Sequence, residues 1–227
     1  IVGPDFQRNE KGDILIDPQT GLPQYDKSNH VLGNASWDWT GGLLTNFTYK
    51  NISLVAVFDV KVGADLYSMS ARAAHESGKS PETLAGRDAW YRSEEERLAA
   101  GIAKGADNWK PTGGFVAPGV IDNGDGTYRP NDIYINPEDY WMSVCRNAPS
   151  MFIYDNSYVK CRELTLSYNV PKSWLKNVVS GLTVSFVARN PFIVWKNIPN
   201  IDPDSNYNNT TGMGLEYGSL PSRRSYG

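Results

Sequence analysis

Apolar and polar residues alternate with a period of two in four stretches of this 227-residue chain. From Asn51 onward, Ile52, Leu54, Ala56, Phe58, Val60 and Val62 fall on one face of an extended backbone, and Ser53, Val55, Val57, Asp59 and Lys61 on the other. The segment Tyr158 to Val170 repeats the pattern, with Leu164, Leu166, Tyr168 and Val170 opposed to Glu163, Thr165, Ser167 and Asn169. A third run sets Leu182, Val184, Phe186 and Ala188 against Thr183, Ser185, Val187 and Arg189, and Gly42 to Tyr49 gives a fourth, less regular one. Each is near the roughly 9 to 11 residues that cross a bilayer as a tilted strand. A soluble sandwich also buries one face of every strand, so the alternation by itself leaves both readings open.

The connections between these strands are unequal. Lys50 and Asn51 alone join the first pair, and Pro171 to Gly181 joins the strand ending at Val170 to Leu182. Long segments occupy the other end, residues 63–157 and 190–224, and short turns at one end with long loops at the other is the arrangement of outer-membrane barrels. It places Asn34 to Thr40, Gly63 to Asn156 and Asn190 to Ser222 outside the cell, with Lys50-Asn51 and Pro171 to Ser180 in the periplasm. Within the longest loop, Pro81 to Gly101 has helical composition, opening on Ser80-Pro81 and stopping at Gly101.

Composition agrees with a turn-rich β protein: 21 glycines, 14 prolines and 12% aromatic residues. With 22 basic and 25 acidic side chains, a net charge of -3 and no basic stripe, the chain is not built to neutralise phosphates, and a nucleic-acid partner is not expected. The longest apolar run, Leu54 to Phe58, is far short of the ~18 residues of a membrane helix, which leaves membrane strands open. No charged and apolar leader pattern opens the sequence at Ile1. Cys145 and Cys161 lack zinc-type spacing, and His30 and His75 are the only imidazoles, so neither a metal nor a cofactor is expected.

Candidate chemistry is sparse, and no catalytic residue is assigned. Asp122-Asn123-Gly124-Asp125-Gly126-Thr127 gathers oxygen ligands, but glycine occupies alternate ligand positions, and the segment reads as a β-turn. Asp202 and Asp204 flank Pro203 as a carboxylate pair, yet closeness in sequence does not set the separation that sugar hydrolysis requires. The sequons at Asn46 and Asn51 fall on strands at a tight turn. Trp109, Tyr128, Tyr134, Tyr140, Trp141 and Trp195 are the candidate ligand-binding residues, as exposed stacking faces near Asn and Asp side chains; the alternatives are loop packing or a membrane-interface belt.

Several segments, in order along the chain, resemble the C-terminal part of SusC/RagA-type TonB-dependent outer-membrane transporters of Bacteroidetes. These are Thr40-Gly41-Gly42, Asn46-Phe47-Thr48-Tyr49-Lys50-Asn51-Ile52-Ser53-Leu54, Asp139-Tyr140-Trp141 and Ser157 to Tyr168, followed by Arg189-Asn190-Pro191 and Ile201-Asp202-Pro203-Asp204. Cys161 stands where the family usually has Leu, and Asn190-Pro191 where Asn-Leu is commoner. The resemblance implies an all-β fold, the C-terminal strands of a transmembrane β-barrel of about 22 strands with long extracellular loops and a short loop helix. Asp59, Glu163 and Arg189 then face the lumen and the apolar face meets lipid.

The implied partners are a SusD-like surface lipoprotein that closes as a lid, TonB through an N-terminal region absent from this sequence, and the remaining barrel strands. An oligosaccharide or peptide is the implied ligand, and outer-membrane lipid surrounds the wall. The family finish is a further short strand ending in an aromatic residue, whereas this sequence stops at Ser225-Tyr226-Gly227, so the resemblance implies a segment cut at both ends. Four or five strands do not close a barrel, and an open edge in hydrocarbon leaves backbone groups unpaired, which independently calls for partner strands. The role implied is import without bond breakage, in the outer membrane. The alternative from the residues alone is a secreted soluble β-sandwich carbohydrate-binding module.

Overall fold

A computed structural model of the chain describes residues 1–175, 179–205 and 212–227. Parts of two expected connections, residues 176–178 and 206–211, lie outside the described residues. In chain order come β1 (Val2–Phe6), β2 (Tyr25–Val31), β3 (Trp39–Tyr49), β4 (Ile52–Val62), β5 (Asp65–Ser68), α1 (Met69–Glu76) and α2 (Arg87–Ala99). The short strands β6 (Phe115–Val116), β7 (Val120–Asp122), β8 (Tyr128–Pro130) and β9 (Tyr134–Ile135) precede α3 (Pro137–Asn147). The chain continues through β10 (Ile153–Asp155), β11 (Tyr158–Asn169), α4 (Lys172–Leu175), β12 (Thr183–Lys196), β13 (Leu215–Glu216) and β14 (Ser225–Tyr226). Two compact units result: Ile1–Leu32 with Tyr67–Ile153, and Gly33–Leu66 with Tyr154–Gly227.

The second unit is built on an antiparallel sheet in the order β14-β12-β11-β4-β3. All four expected strands are in it, and two are longer than their alternation showed: β3 begins at Trp39, and β12 continues through Asn190-Pro191 to Lys196, residues expected in a loop. The register puts Leu43, Phe47 and Tyr49 beside Phe58, Leu54 and Ile52, and these beside Cys161, Leu166 and Tyr168. Val184, Phe186 and Ala188 extend the same face on β12. Much of it is uncovered: Leu43, Phe47, Leu166, Val184 and Phe186 are exposed.

Aromatic residues bracket that face. Trp39 lies opposite Val62, and Trp195 opposite Val159, at one end; Tyr49 and Tyr168 both lie opposite Ile52 at the other. Gly41 has no side chain on this face, and the Trp39 ring lies where a Cβ there would sit. The ten steps from Trp39 to Tyr49 span about 33 Å along a strand, and a tilt of about 45° brings that near the ~25 Å apolar band of an outer-membrane wall.

Against β4, β11 leaves its period of two at Arg162. Cys161 pairs with Phe58 and Glu163 with Val57, so Arg162 is an extra residue on β11. Beside it β12 also departs from register, Cys161 pairing with Phe192 and Glu163 with Arg189, and Asn190 there takes a left-handed φ of 48°. Asparagine tolerates that conformation better than most residues. The bulge moves Val159 and Cys161 onto the apolar face and brings Tyr158 and Lys160 to the polar face with Glu163.

The first unit holds more helix than the one short loop helix expected. Besides α2, which follows a separate 3₁₀ turn at Pro81–Leu84 and the left-handed Gly86, it contains α1 and α3, neither of which was expected. Helix α3 starts at Asn136, whose side chain caps the backbone N–H of Glu138, with Pro137 in the first turn. It buries Tyr140, Trp141, Val144 and Cys145, one helical stripe, in a core with Phe6, Ile16, Ile121, Ile135 and Phe152. Asp122 to Thr127 is a hairpin turn between β7 and β8.

Candidate functional site

The bulge gathers the charged groups of the second unit. The Arg162 guanidinium grips Asp204 through Nη1 at 2.5 Å and Nη2 at 2.9 Å, and donates to Asp59 Oδ2 from Nε at 3.1 Å and Nη2 at 2.5 Å. Lys160 Nζ donates to Asp204 Oδ2 at 2.6 Å, to Asp202 Oδ1 at 3.2 Å and to Ser222 Oγ. The Tyr158 hydroxyl adds a bond to Asp204 at 2.8 Å. Asp202 also accepts from the backbone N–H of Asp204 and from the N–H and hydroxyl of Ser222. Segments 202–205 and 221–222 are thereby tied to strands β4 and β11.

The chemistry of this cluster is that of a clamp. Three carboxylates face two cations in fork and point-charge geometries, and Lys61 sits over the Trp37 and Tyr158 rings at 5.5 and 5.9 Å. Burial alone would raise the Asp204 carboxyl; the bonds from Arg162, Lys160 and Tyr158 outweigh it and hold the group well below the usual carboxylate range. Asp202 is likewise pulled down against burial, by Ser222, backbone N–H groups and Lys160. A general acid needs the opposite shift, so Asp202 and Asp204 do not form an acid–base pair for sugar hydrolysis.

Asp59, Glu163 and Arg189 share the polar face of the sheet. Asp59 belongs to the clamp, and Glu163 is paired across strands with Arg189, Oε2 to Nε being 3.6 Å. The six candidate aromatics are dispersed. Tyr140 and Trp141 were expected exposed; both are buried on α3, because the stripe they belong to is the helix's core face. Trp195 was expected in a loop and lies instead on β12, on the sheet's apolar face. Tyr128 and Tyr134 are exposed on β8 and β9 of the first unit, and Trp109 is half-buried there with no acceptor for its indole N–H among the described residues. Of the six, only Tyr140 and Trp141 are in ring contact among the described residues.

Lys160, Arg162 and Tyr158 carry the clamp, and the sequence reading assigned none of them a role. The signal was there: Val159 and Cys161 are apolar at odd positions, Leu164, Leu166 and Tyr168 at even ones, and such a switch marks a bulge. Among the described residues no three His, Cys, Asp or Glu side chains gather as a metal site. Cys145 and Cys161 are both free and buried. Burial, with Glu76 adding to it, pushes the Cys145 thiol up to about 11.

Known proteins align with this arrangement. The chain is 32% identical over 87 residues to TonB-dependent receptor P3 of Formosa agariphila, a match covering 36% of this chain and 9% of that protein. The RagAB peptide importer in its closed-closed state superposes over the whole chain with a TM-score of 0.57 at 16% identity. The chain is thus similar in sequence, over part of its length, to a TonB-dependent receptor, and similar in fold to the RagAB structure. A second solved structure, of the RagAB peptide transporter, gives a TM-score of 0.55 at 17% identity. At these identities the solved structures show the fold. The chain spans 22% and 21% of the two solved chains. No family profile matches it.

Proposed function

We propose that residues 1–227 are the C-terminal part of a barrel of about 22 strands, and that the five-stranded sheet is a section of its wall in the outer membrane. The observation that carries this reading is the uncovered apolar face between two aromatic rows. A soluble sandwich buries that face against a second sheet, whereas lipid covers it without one. No helix among the described residues is long and apolar enough to cross a membrane, which bears on helices alone. In this reading Asp59, Glu163 and Arg189 line the lumen.

The whole protein is then an importer that breaks no bond. An oligosaccharide or peptide enters under a SusD-like surface lipoprotein, and TonB acts through a plug N-terminal to these residues. The likeness to proteins described as a peptide importer and a peptide transporter supports a peptide as cargo. The clamp fixes the segment around Asp202 to Asp204 to the wall. Epitope tags test the placement: one inserted at Gly126 is expected to be reached by antibody on intact cells, and one at Lys50 only after the outer membrane is opened. The reverse pattern, or recovery of the full-length protein in the soluble fraction, overturns the reading.

A further inference from the structure

Asn123-Gly124, at the tip of the β7–β8 hairpin, is the one Asn-Gly pair in the sequence. Residues 122–128 are all exposed there. Gly124 has a left-handed φ of 82°, and a Cβ added to it would meet nothing within 4 Å. With no side chain on Gly124, its backbone nitrogen is open to the carboxamide of the residue before it. Attack of that nitrogen on Asn123 Cγ closes a five-membered imide, and the hairpin supplies what the step needs. The Gly124 N–H donates to Asp122 Oδ1 at 2.7 Å, so the proton that the nitrogen must shed already points at a carboxylate. Arg129, the nearest cation in sequence, is taken by Asp132 at 2.6 Å. Asn123 Nδ2 donates to Thr127 Oγ1 at 2.9 Å, which holds the carboxamide on the turn.

Other pairs in the chain lack one of these parts. Asp125-Gly126 has the bare glycine, but the hydroxyl and N–H of Thr127 both donate to the Asp125 carboxyl and hold it below the usual carboxylate range. An ionised carboxylate offers no leaving group. Asn156-Ser157 is buried, and the Asn156 amide is spent on the Pro203 carbonyl at 3.0 Å. Asn136 and Asn190 precede prolines, whose nitrogen carries no hydrogen to lose.

We propose that Asn123 is a site of spontaneous deamidation, in which the Gly124 nitrogen displaces the side-chain amide with Asp122 receiving its proton. In the first step the bond from Gly124 N to Asn123 Cγ forms and the Cγ–Nδ2 bond breaks. Nδ2 departs as ammonia, and the Gly124 proton reaches it by way of Asp122 and solvent. Water then opens the imide, giving aspartate by attack at Cγ and isoaspartate by attack at the main-chain carbonyl. Neither step needs an oxidant or a reductant. Both products add a negative charge beside Asp122 and Asp125. Isoaspartate also lengthens the backbone by one carbon, which disturbs the bond from the Asn123 N–H to the Thr127 carbonyl, 3.1 Å, that closes the turn. The hairpin therefore loosens as the protein ages. The proposal is independent of the barrel reading, because its residues belong to the unit that does not contain the five-stranded sheet.

Peptide mass mapping of the full-length protein, held in detergent in mildly alkaline buffer and sampled over time, tests it. The product is read as a gain of about 1 Da assigned to Asn123 by fragmentation, with isoaspartate resolved by its retention time. Asn123 is expected to convert about ten-fold or more faster than Asn108, which is also exposed but precedes Trp109. Asp122→Asn keeps an oxygen to accept the Gly124 N–H and removes the base, and is expected to slow conversion at Asn123 about three-fold in the folded protein. In urea, where the turn that brings Asp122 to Gly124 is lost, the same substitution is expected to leave the rate unchanged. Conversion of Asn123 no faster than that of Asn108 overturns the proposal, as does a folded-state rate that Asp122→Asn leaves unchanged, or an equal slowing in the folded and unfolded protein. Failure here leaves the barrel reading standing, and failure of the epitope tags leaves this test unchanged.

Discussion

Lys160 is 2% exposed, a burial that an ammonium group tolerates only with its charge matched and its three hydrogens accepted. Asp202, Asp204 and Ser222 meet that demand. Lys160→Met keeps the volume but removes the cation that Asp202 and Asp204 share, leaving Asp204 to Arg162 and Tyr158 and Asp202 to Ser222 and backbone N–H groups, and is expected to cost about 3 kcal/mol in chemical denaturation of the full-length protein in detergent. Lys160→Met combined with Asp202→Asn is expected to recover part of the loss; an additive double variant would deny the coupling. The clamp also sets a pH dependence. Asp202 and Asp204 titrate lower folded than unfolded, so the folded state binds fewer protons. Their stabilisation is fully present above the ordinary aspartate value of about 3.9 and is lost as pH falls below it. Melting temperature is expected to drop on acidification below about pH 4, and the drop to shrink in Asp204→Asn.

Among the elements, the strands were the legible part of the sequence, for a physical reason. A wall with one apolar and one polar face writes its period directly into the residues, and Glu163 to Asn169 shows it without interruption. Helices α1 and α3 were less visible because the loop around them is rich in glycine, asparagine and aromatics. In α3 the start signals Asn136, Pro137, Glu138 and Asp139 were nevertheless present, as was the 140, 141, 144, 145 stripe. Reading Tyr140 and Trp141 as exposed followed from missing that stripe. The clamp could not be read at all without the register, since Arg162 meets Asp59 and Asp204 only across strands and loop. The turn between β3 and β4 carries its own prediction: Lys50 has a left-handed φ of 52°, which glycine adopts freely. Lys50→Gly is expected to stabilise the hairpin by about 1 kcal/mol, read as a raised melting temperature; a lowered one would show that the side chain, not the backbone, governs the turn.

For the whole molecule the account rests on what covers the sheet. Backbone on the outer edge of β3 has no partner strand among the described residues, and β14 pairs with only Ala188 and Arg189 of β12. In water such edges recruit other chains, and in hydrocarbon they require closure. Leu166→Arg is accordingly expected to cost roughly 2 to 4 kcal/mol in a lipid bilayer if it lies near mid-depth. The most direct measurement is nitroxide accessibility along β4 of the full-length protein in lipid, one label at a time from Ile52 to Val62. The account predicts a period of two: labels replacing Leu54, Ala56, Phe58 and Val60 collide with dissolved oxygen and are shielded from a water-soluble nickel reagent, while those replacing Val55, Val57 and Asp59 are not. Nickel access at Leu54, Ala56, Phe58 and Val60 would contradict it.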